Sequence, residues 1–328
     1  MERWVGDRGE GGEAPEKAGL HPRNRHRDRY DFRALTKASP ELGPFVRMAL
    51  HGGLSIDFTD PDAVRALNRA ILFQVYRVEG WDIPHGYLCP PIPARADYLH
   101  HAADLLAELT GGKVPKGRSI GILDIGTGAN LIYPLIGHRE YGWRFVGTDI
   151  DKLALDAARK IIRANAGFED IIELRLQRDR GAVFKDIVKP GETFDLCLCN
   201  PPFHVSREEA LAGTERKWRN LGKGEGDSAP TRNFGGHGSE LWCAGGEVAF
   251  VRRMIEESAA HPTLCRWFTT LISKSSNLPA IHRALRHVEA RDIRTIEMTH
   301  GQKKSRIVAW TFRNETTQVK PHGRSAKK

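Results

Sequence analysis

Between residues 116 and 205 short apolar runs alternate with amphipathic stretches, and this period constrains the fold more than any other feature. SIGILDI (119–125), WRFVGTDI (143–150), IIELRLQ (171–177) and TFDLCLCN (193–200) have the length and apolar density of buried strands. LALDAARKIIRANAG (153–167) has helical period and is expected to close at Gly167. Parallel strands need long crossovers, so this alternation predicts an α/β chain with a mostly parallel sheet covered on both faces. Residues 246–313 continue the pattern. EVAFVRRMIEESAA is a helix, RWFTTLIS a strand and LPAIHRALRHV a helix; RTIEMTH and RIVAWTF, separated by GQKKS, predict an antiparallel hairpin.

Residues 21–115 are a different kind of chain. PDAVRALNRAILFQVYR (61–77) places Val64, Leu67, Ile71, Leu72 and Val75 on one helical face, with Asp60 as N-cap. ARADYLHHAADLLAEL (94–109) repeats the pattern with Leu99, Ala102, Ala103, Leu106 and Leu109, and stops at Gly111-Gly112. Between them WDIPHGYLCPPIPAR carries four prolines, which forbid a continuous helix but stiffen a loop. HPRNRHRDRYDFR (21–33) has five Arg against two Asp, together with Tyr30 and Phe32. It reads either as a basic arm for an anionic partner or as a solvated extension. The expected organisation is a disordered leader (1–20), a basic arm and helical extension (21–115), the sheet domain (116–313) and a basic tail (314–328). Within the sheet domain, 206–245 is Gly-rich and charged, and is expected to be a mobile loop.

Composition excludes several classes. Hydrophobic residues are 40% and charged residues 28%, which rules out a mostly disordered chain of these 328 residues. No apolar run approaches the roughly 20 residues of a membrane span, and the first residues lack the apolar core of a signal peptide. The five cysteines form no CxxC pair, so no disulfide scaffold and no metal site is expected, and the compartment is the reducing cytoplasm. The formal charge of +9 favours an anionic partner, with nucleic acid foremost. No membrane and no obligate protein partner is inferred.

Two motifs carry chemistry. Asp124-Ile125-Gly126-Thr127-Gly128 directly follows a strand, where glycines let the backbone turn and approach a ligand closely. A dinucleotide fingerprint would place glycine at Leu131, and its absence weakens a pyrophosphate cradle. Asp149 ends the next strand, where an acid commonly binds ribose hydroxyls. Together these suit a nucleoside without phosphates, such as S-adenosylmethionine; an ordinary tight turn and a helix N-cap are the plainer alternatives. The second motif is Asn200-Pro201-Pro202-Phe203, at the carboxyl end of the fourth strand. The prolines fix the turn, so the Asn200 side chain and the Pro201 carbonyl present two acceptors in a set direction. Two acceptors suit a planar amine with two N–H donors, and Phe203 offers a flat face for a base. A Pro-Pro turn that merely ends a strand is the bland alternative.

ILDIGTGAN, GTDID and NPPF together resemble class I S-adenosylmethionine-dependent methyltransferases acting on nitrogen. With HPRNRHRDRYDF, GYLCPPIPARADYLHH, CNPPFHVS, NFGGHGSELWCAGGEVAFVRRMI and THGQKKSRIVAWTF, the chain resembles the 23S ribosomal RNA adenine-N6 methyltransferase F family over about residues 21–313. A related eukaryotic group modifies adenine in small nuclear and messenger RNA. The resemblance implies a Rossmann-like fold, with a seven-stranded sheet whose last strand is antiparallel. It implies S-adenosyl-L-methionine as cofactor and 23S RNA, or a large-subunit assembly intermediate, as partner. Residue by residue, it implies that Arg95 pairs with the cofactor carboxylate and that Gly126, Thr127, Gly128 and Asn130 line its methionine moiety. Asp149 would take the ribose hydroxyls, and Gln177 or Asp179 would lie near the cofactor adenine. Asn200, Pro201 and Phe203 would hold the target adenine, and Arg23, Arg25, Arg27 and Arg29 would contact RNA.

Other residues have plainer expectations. His100 and His101 read as structural or solvated, and Cys197 and Cys199 as core thiols. Phe234 and Trp242 could stack on RNA or pack the base of the loop, and Lys303, Lys304 and Arg306 could meet phosphate or merely solvate a turn. Guanine-N2 or glutamine methyl transfer, and an inactive RNA-binding fold, are the alternative functions.

Overall fold

The computed structural model describes residues 19–49, 52–202, 242–300 and 303–314. The expectations placed on the leader to residue 18, on Phe203, on Phe234, on most of 206–245 and on the tail from 315 lie outside the described residues.

The extension begins with α1 (Phe32–Ala38), capped by Asp31, whose carboxylate accepts the Arg33 and Ala34 amides. A short antiparallel ribbon follows, β1 (Arg47–Met48) with β2 (Leu54–Ser55). α2 (Pro61–Tyr76) starts where the sequence predicts, with Asp60 accepting the Asp62 and Ala63 amides. It stops at Arg77, which adopts the left-handed conformation at φ 54°. α3 (Ile92–Glu108) begins two residues earlier than its apolar period suggests. Pro93 is no obstacle there, because the first helical turn has no intrahelical use for its missing N–H.

The sheet domain runs β3 (Gly121–Ile125), α4 (Ile132–Tyr141), β4 (Arg144–Asp149), α5 (Lys152–Arg163), β5 (Ile172–Leu176) and β6 (Phe194–Cys199). It continues with α6 (Gly246–Ala260), β7 (Cys265–Ile272), α7 (Leu278–His287), β8 (Asp292–His300) and β9 (Lys303–Thr311). The sheet has seven strands in the order β5-β4-β3-β6-β7-β9-β8. β3 to β7 pair in parallel, and β9 is antiparallel to both of its neighbours. The Rossmann-like expectation holds, including the antiparallel last strand. α5 ends at Arg163 rather than at Gly167, which instead turns the chain at φ 83° before β5.

Successive strand residues feed opposite cores. Ile122 joins a cluster beneath α2, α3, α4 and α5, whereas Leu123 and Ile125 join one with residues of α6 and α7. Cys197, Cys199 and Cys265 lie in the second cluster as buried thiols. The first cluster also contains Phe32, Leu67, Trp81 and Leu99, so the extension and the sheet share one core.

Candidate active site

The order of strands reverses beside β3: the chain steps outward to β4 and β5, then returns to lay β6 on the other side. Open parallel sheets bind ligands at such a reversal, beyond the carboxyl ends of the strands. The register pairs Ile125 with Cys199. The next residues, Gly126 and Asn200, therefore leave the sheet side by side, and both line one cleft.

The turn after β3 has φ of 72° at Gly126, 66° at Gly128 and 53° at Leu131. A Cβ at Gly126 would meet nothing within 4 Å, so the backbone conformation requires glycine there and the space beside it stays open. The Gly126 and Thr127 amides both donate to the Thr148 carbonyl at 2.9 Å, and the Gly128 amide donates to Asp149 Oδ2 at 2.9 Å. The amides that would cradle a pyrophosphate are thus committed within the fold.

Two carboxyl groups sit beneath and beside this turn. Asp124 is fully buried, and neither its oxygens nor the nearby Thr127 hydroxyl makes a hydrogen bond of normal geometry. Burial pushes its pKa up to about 7. Burial also raises Asp149, to about 6, against the opposing backbone N–H donors of Asp151 and Gly128. A cleft with an open backbone turn whose Gly126, Thr127 and Gly128 amides are already committed, and with Asp149 beside it, suits a phosphate-free nucleoside.

Arg95, from α3, lines the cleft as well. Its Nη1 donates to the Tyr133 hydroxyl and to Asn200 Oδ1, each at 3.2 Å. Asn200 therefore meets a cation inside the cleft. The strand end before it is fixed by Tyr98, which is wholly buried. The Tyr98 hydroxyl accepts the Cys199 amide at 3.2 Å and donates to Thr269 Oγ1 at 2.7 Å, while Thr269 donates onward to the Cys197 carbonyl at 2.7 Å. The Pro-rich segment roofs the cleft. Trp81 Nε1 donates to the Asn130 carbonyl at 2.9 Å, and the Tyr87 hydroxyl donates to Asp151 at 2.8 Å.

A family model described as RNA methyltransferase matches residues 14–314. The chain belongs to this RNA methyltransferase family. Ribosomal RNA large subunit methyltransferase F of Yersinia pestis is 57% identical over 297 residues, covering 90% of this chain and 88% of the relative. The Yersinia pseudotuberculosis protein of the same name matches equally. Among solved structures, the human METTL16 catalytic domain in complex with MAT2A 3′UTR hairpin 6 aligns with TM-score 0.74 and 30% identity, covering 92% of this chain and 100% of that one. The N-terminal domain of human METTL16 in complex with SAH aligns with TM-score 0.70 and 27% identity, covering 90% of this chain and 99% of that one.

In this RNA methyltransferase the cleft gathers Arg95, Gly126, Thr127, Gly128, Asn130, Asp149, Gln177 and Asn200. Pro202 lines it with them, while Pro201 forms the turn between. The Gln177 side chain is committed to the fold: it donates to the Lys185 carbonyl at 2.9 Å and accepts the Asp179 amide at 2.8 Å. Asp179 in turn accepts the Gly181 amide at 2.7 Å. Both residues shape the loop after β5.

The arm is not a loose basic strand. His21, Asn24 and His26 are buried, while Arg23 pairs with Asp104 at 2.7 Å and Arg25 with Glu140 at 2.7 Å. Arg27 reaches the Pro22 carbonyl, and Arg29 is exposed. His21, His101 and Asp104 bring possible metal ligands together, but the Arg23 guanidinium already occupies Asp104 Oδ1. Tyr98, Trp81 and Tyr133 carry no sequence signal of their place at the cleft. Each has aromatic bulk that reads as core, and its hydrogen-bonding partner lies far along the chain.

Proposed function

We propose that this RNA methyltransferase transfers the methyl group of S-adenosyl-L-methionine to N6 of a specific adenine in 23S ribosomal RNA, in the cytoplasm. The observation that carries the reading is the pairing of β3 with β6, which sets the Gly126 turn and Asn200 next to each other in one cleft. Large-subunit methyltransferase F relatives and a METTL16 domain solved with RNA support the substrate class.

Arg95 has guanidinium donors beyond the nitrogen that holds Asn200 and Tyr133, and a carboxylate takes a guanidinium fork in bidentate fashion. Gly126, Thr127, Gly128 and Asn130 shape the cofactor's seat, and Asp149 accepts hydroxyl donors beside the Gly128 amide. The bound cofactor supplies an electrophilic methyl group on a sulfonium. Asn200 and the Pro201 carbonyl accept the two N–H bonds of the target amine, and Phe203 stacks on its ring. An exocyclic amine is a weak nucleophile, because its lone pair is delocalised into the ring. Fixed acceptors orient the lone pair and stabilise the positive charge that develops as nitrogen is alkylated. The proton is acidic only after the N–C bond forms, so no strong base is needed before attack. The adenine must leave its stack to reach Asn200, which favours an unpaired base as target. The outer face of the arm, with Arg27 and Arg29, meets RNA phosphates, and Arg23 and Arg25 join them if they release their carboxylate partners.

Nucleoside mass spectrometry tests the reading. Large-subunit RNA from cells lacking the enzyme is incubated with the protein and isotopically methyl-labelled cofactor. Labelled N6-methyladenosine is expected. Labelled N2-methylguanosine would overturn the base assignment while keeping the fold and cofactor.

A further inference from the structure

We propose that Arg253 grips a backbone phosphate of the RNA at the mouth of the cleft, an inference that rests on reading the cleft as the methyl-transfer site. Arg253 lies on α6 and lines the same cleft as Asn200 and Pro202. Its Nε is buried and has no hydrogen-bond partner. Its guanidinium carbon stands 6.0 Å from the Phe250 ring centroid, and no carboxylate among the described residues pairs with it.

Of the three acids on the same helix, Glu256 is exposed and lines a separate groove with Arg252 and Arg283, and the other two are engaged elsewhere. Glu257, one turn along α6, accepts the amides of Val183, Phe184 and Lys185 at 2.8, 2.7 and 3.1 Å. Glu247 accepts the Ser273 amide at 2.7 Å and the Asn277 side chain at 2.6 Å. A partly buried guanidinium without an anion is an unfavourable arrangement, and a ligand that brings the anion resolves it. The cofactor carboxylate is assigned to Arg95, which comes from α3. RNA brings one negative charge per nucleotide, and contacts to phosphate position a strand while contacts to the base specify it. A nucleotide turned out of its stack with its base at Asn200 must carry its own phosphates past the cleft mouth. Trp242 and Phe250, which line the cleft with Arg253, give the sugar and base an apolar flank.

The test uses the full chain with Arg253→Gln and Arg253→Lys, and large-subunit RNA from cells lacking the enzyme. RNA affinity is measured across a salt series, cofactor affinity by calorimetry, and methyl transfer at steady state. For Arg253→Gln the KM for RNA is expected to rise about tenfold, and the slope of log affinity against log salt to become shallower by about one. The cofactor Kd should stay within twofold. Arg253→Lys should keep the slope but raise the KM for RNA several-fold, because an ammonium lacks the fork. Weaker cofactor binding with unchanged RNA affinity would place Arg253 on the cofactor and overturn the proposal, as would wild-type values throughout. If Arg253→Gln does not fold, Arg253→Lys decides: a raised KM for RNA keeps the proposal and a wild-type KM overturns it. A wild-type protein that binds RNA with the Arg253-dependent slope yet never methylates it would sink the functional reading and leave the phosphate contact standing.

Discussion

Asn200 is oriented before any substrate arrives, because Arg95 Nη1 donates to its Oδ1. One guanidinium thus touches the residue proposed to hold the target and lines the seat proposed for the cofactor. The two roles separate under substitution. Asn200→Ala should lower kcat at least a hundredfold, the scale of a lost transition-state acceptor or donor, while cofactor Kd stays within a few-fold. Arg95→Lys should weaken cofactor binding about tenfold and also lower kcat, since an ammonium cannot reproduce the fork that meets Tyr133 and Asn200. Steady-state kinetics with calorimetric cofactor binding check both. An Arg95→Lys protein with full kcat at saturating cofactor would show that Asn200 is placed by its turn alone. NPPF made the place of Asn200 in the cleft legible in the sequence, because it follows a strand whose neighbour ends in the Gly turn. Tyr98 was not legible, since its partners Cys199 and Thr269 lie 101 and 171 residues away.

At the scale of elements, most strands and amphipathic helices were readable to within a residue or two; α5 ends several residues early and β9 starts three residues early, and α1, the β1–β2 ribbon and α4 were not read. α4 follows the Gly turn with an apolar residue at nearly every position of its first half and Pro134 inside it, so no polar face marks a helical period. The arm was misleading for the opposite reason, because arginines dominate its composition while His21, Asn24 and His26 among them are buried. His100 of α3 is the centre of that docking. Its Nδ1 meets the Tyr141 hydroxyl at 2.6 Å, its ring stacks on His21 at 5.4 Å, and its Nε2 is buried without a partner. Burial, with further lowering from His21, Arg23 and His26 and a raising contribution from Asp104, holds His100 down at about 3. His101 on the same helix is lowered as well, again first by burial. The unfolded chain protonates histidine near pH 6.5, whereas the folded His100 stays neutral. The folded state therefore has its full advantage above pH 6.5 and loses it as the pH falls toward 3, by up to about 1.4 kcal/mol per unit for one proton. Urea midpoints at pH 7.5 and 5.5 should show this acid-side loss, and His100→Gln should flatten it. An unchanged slope in the variant would assign the loss to other groups.

The whole molecule explains why a basic, Pro-rich extension accompanies a methyltransferase sheet. The sheet supplies the floor of the cleft, but its roof and one wall come from the extension, through Leu88, Pro90 and Arg95. Their attachment is two-sided. Trp81 binds the Asn130 carbonyl in the turn after β3, while the Asn165 amide clasps the Glu79 backbone, donating to its carbonyl and accepting its N–H at 2.8 Å each. Arg294 of β8 pairs with Glu108 of α3 at the far edge. Because these contacts join one continuous apolar core, removing the extension would expose Ile122, Leu135, Ile136 and Phe145, which are at most 2% accessible in the folded chain. Fully burying one such side chain is worth roughly 1.5–3 kcal/mol. Four of them approach the 5–15 kcal/mol of net stability typical of a whole domain. A chain beginning at residue 116 is therefore expected to be insoluble, or to keep far-UV but lose near-UV circular dichroism. In the full chain, α2 and α3 should exchange amide hydrogens as slowly as β3 and β4. Cofactor at a hundred times its Kd should protect all four elements by a common increment of about 2.7 kcal/mol. Protection confined to β3 and β4 would mean that the roof opens independently of its floor, and the extension would then be a lid on the site instead of part of its frame.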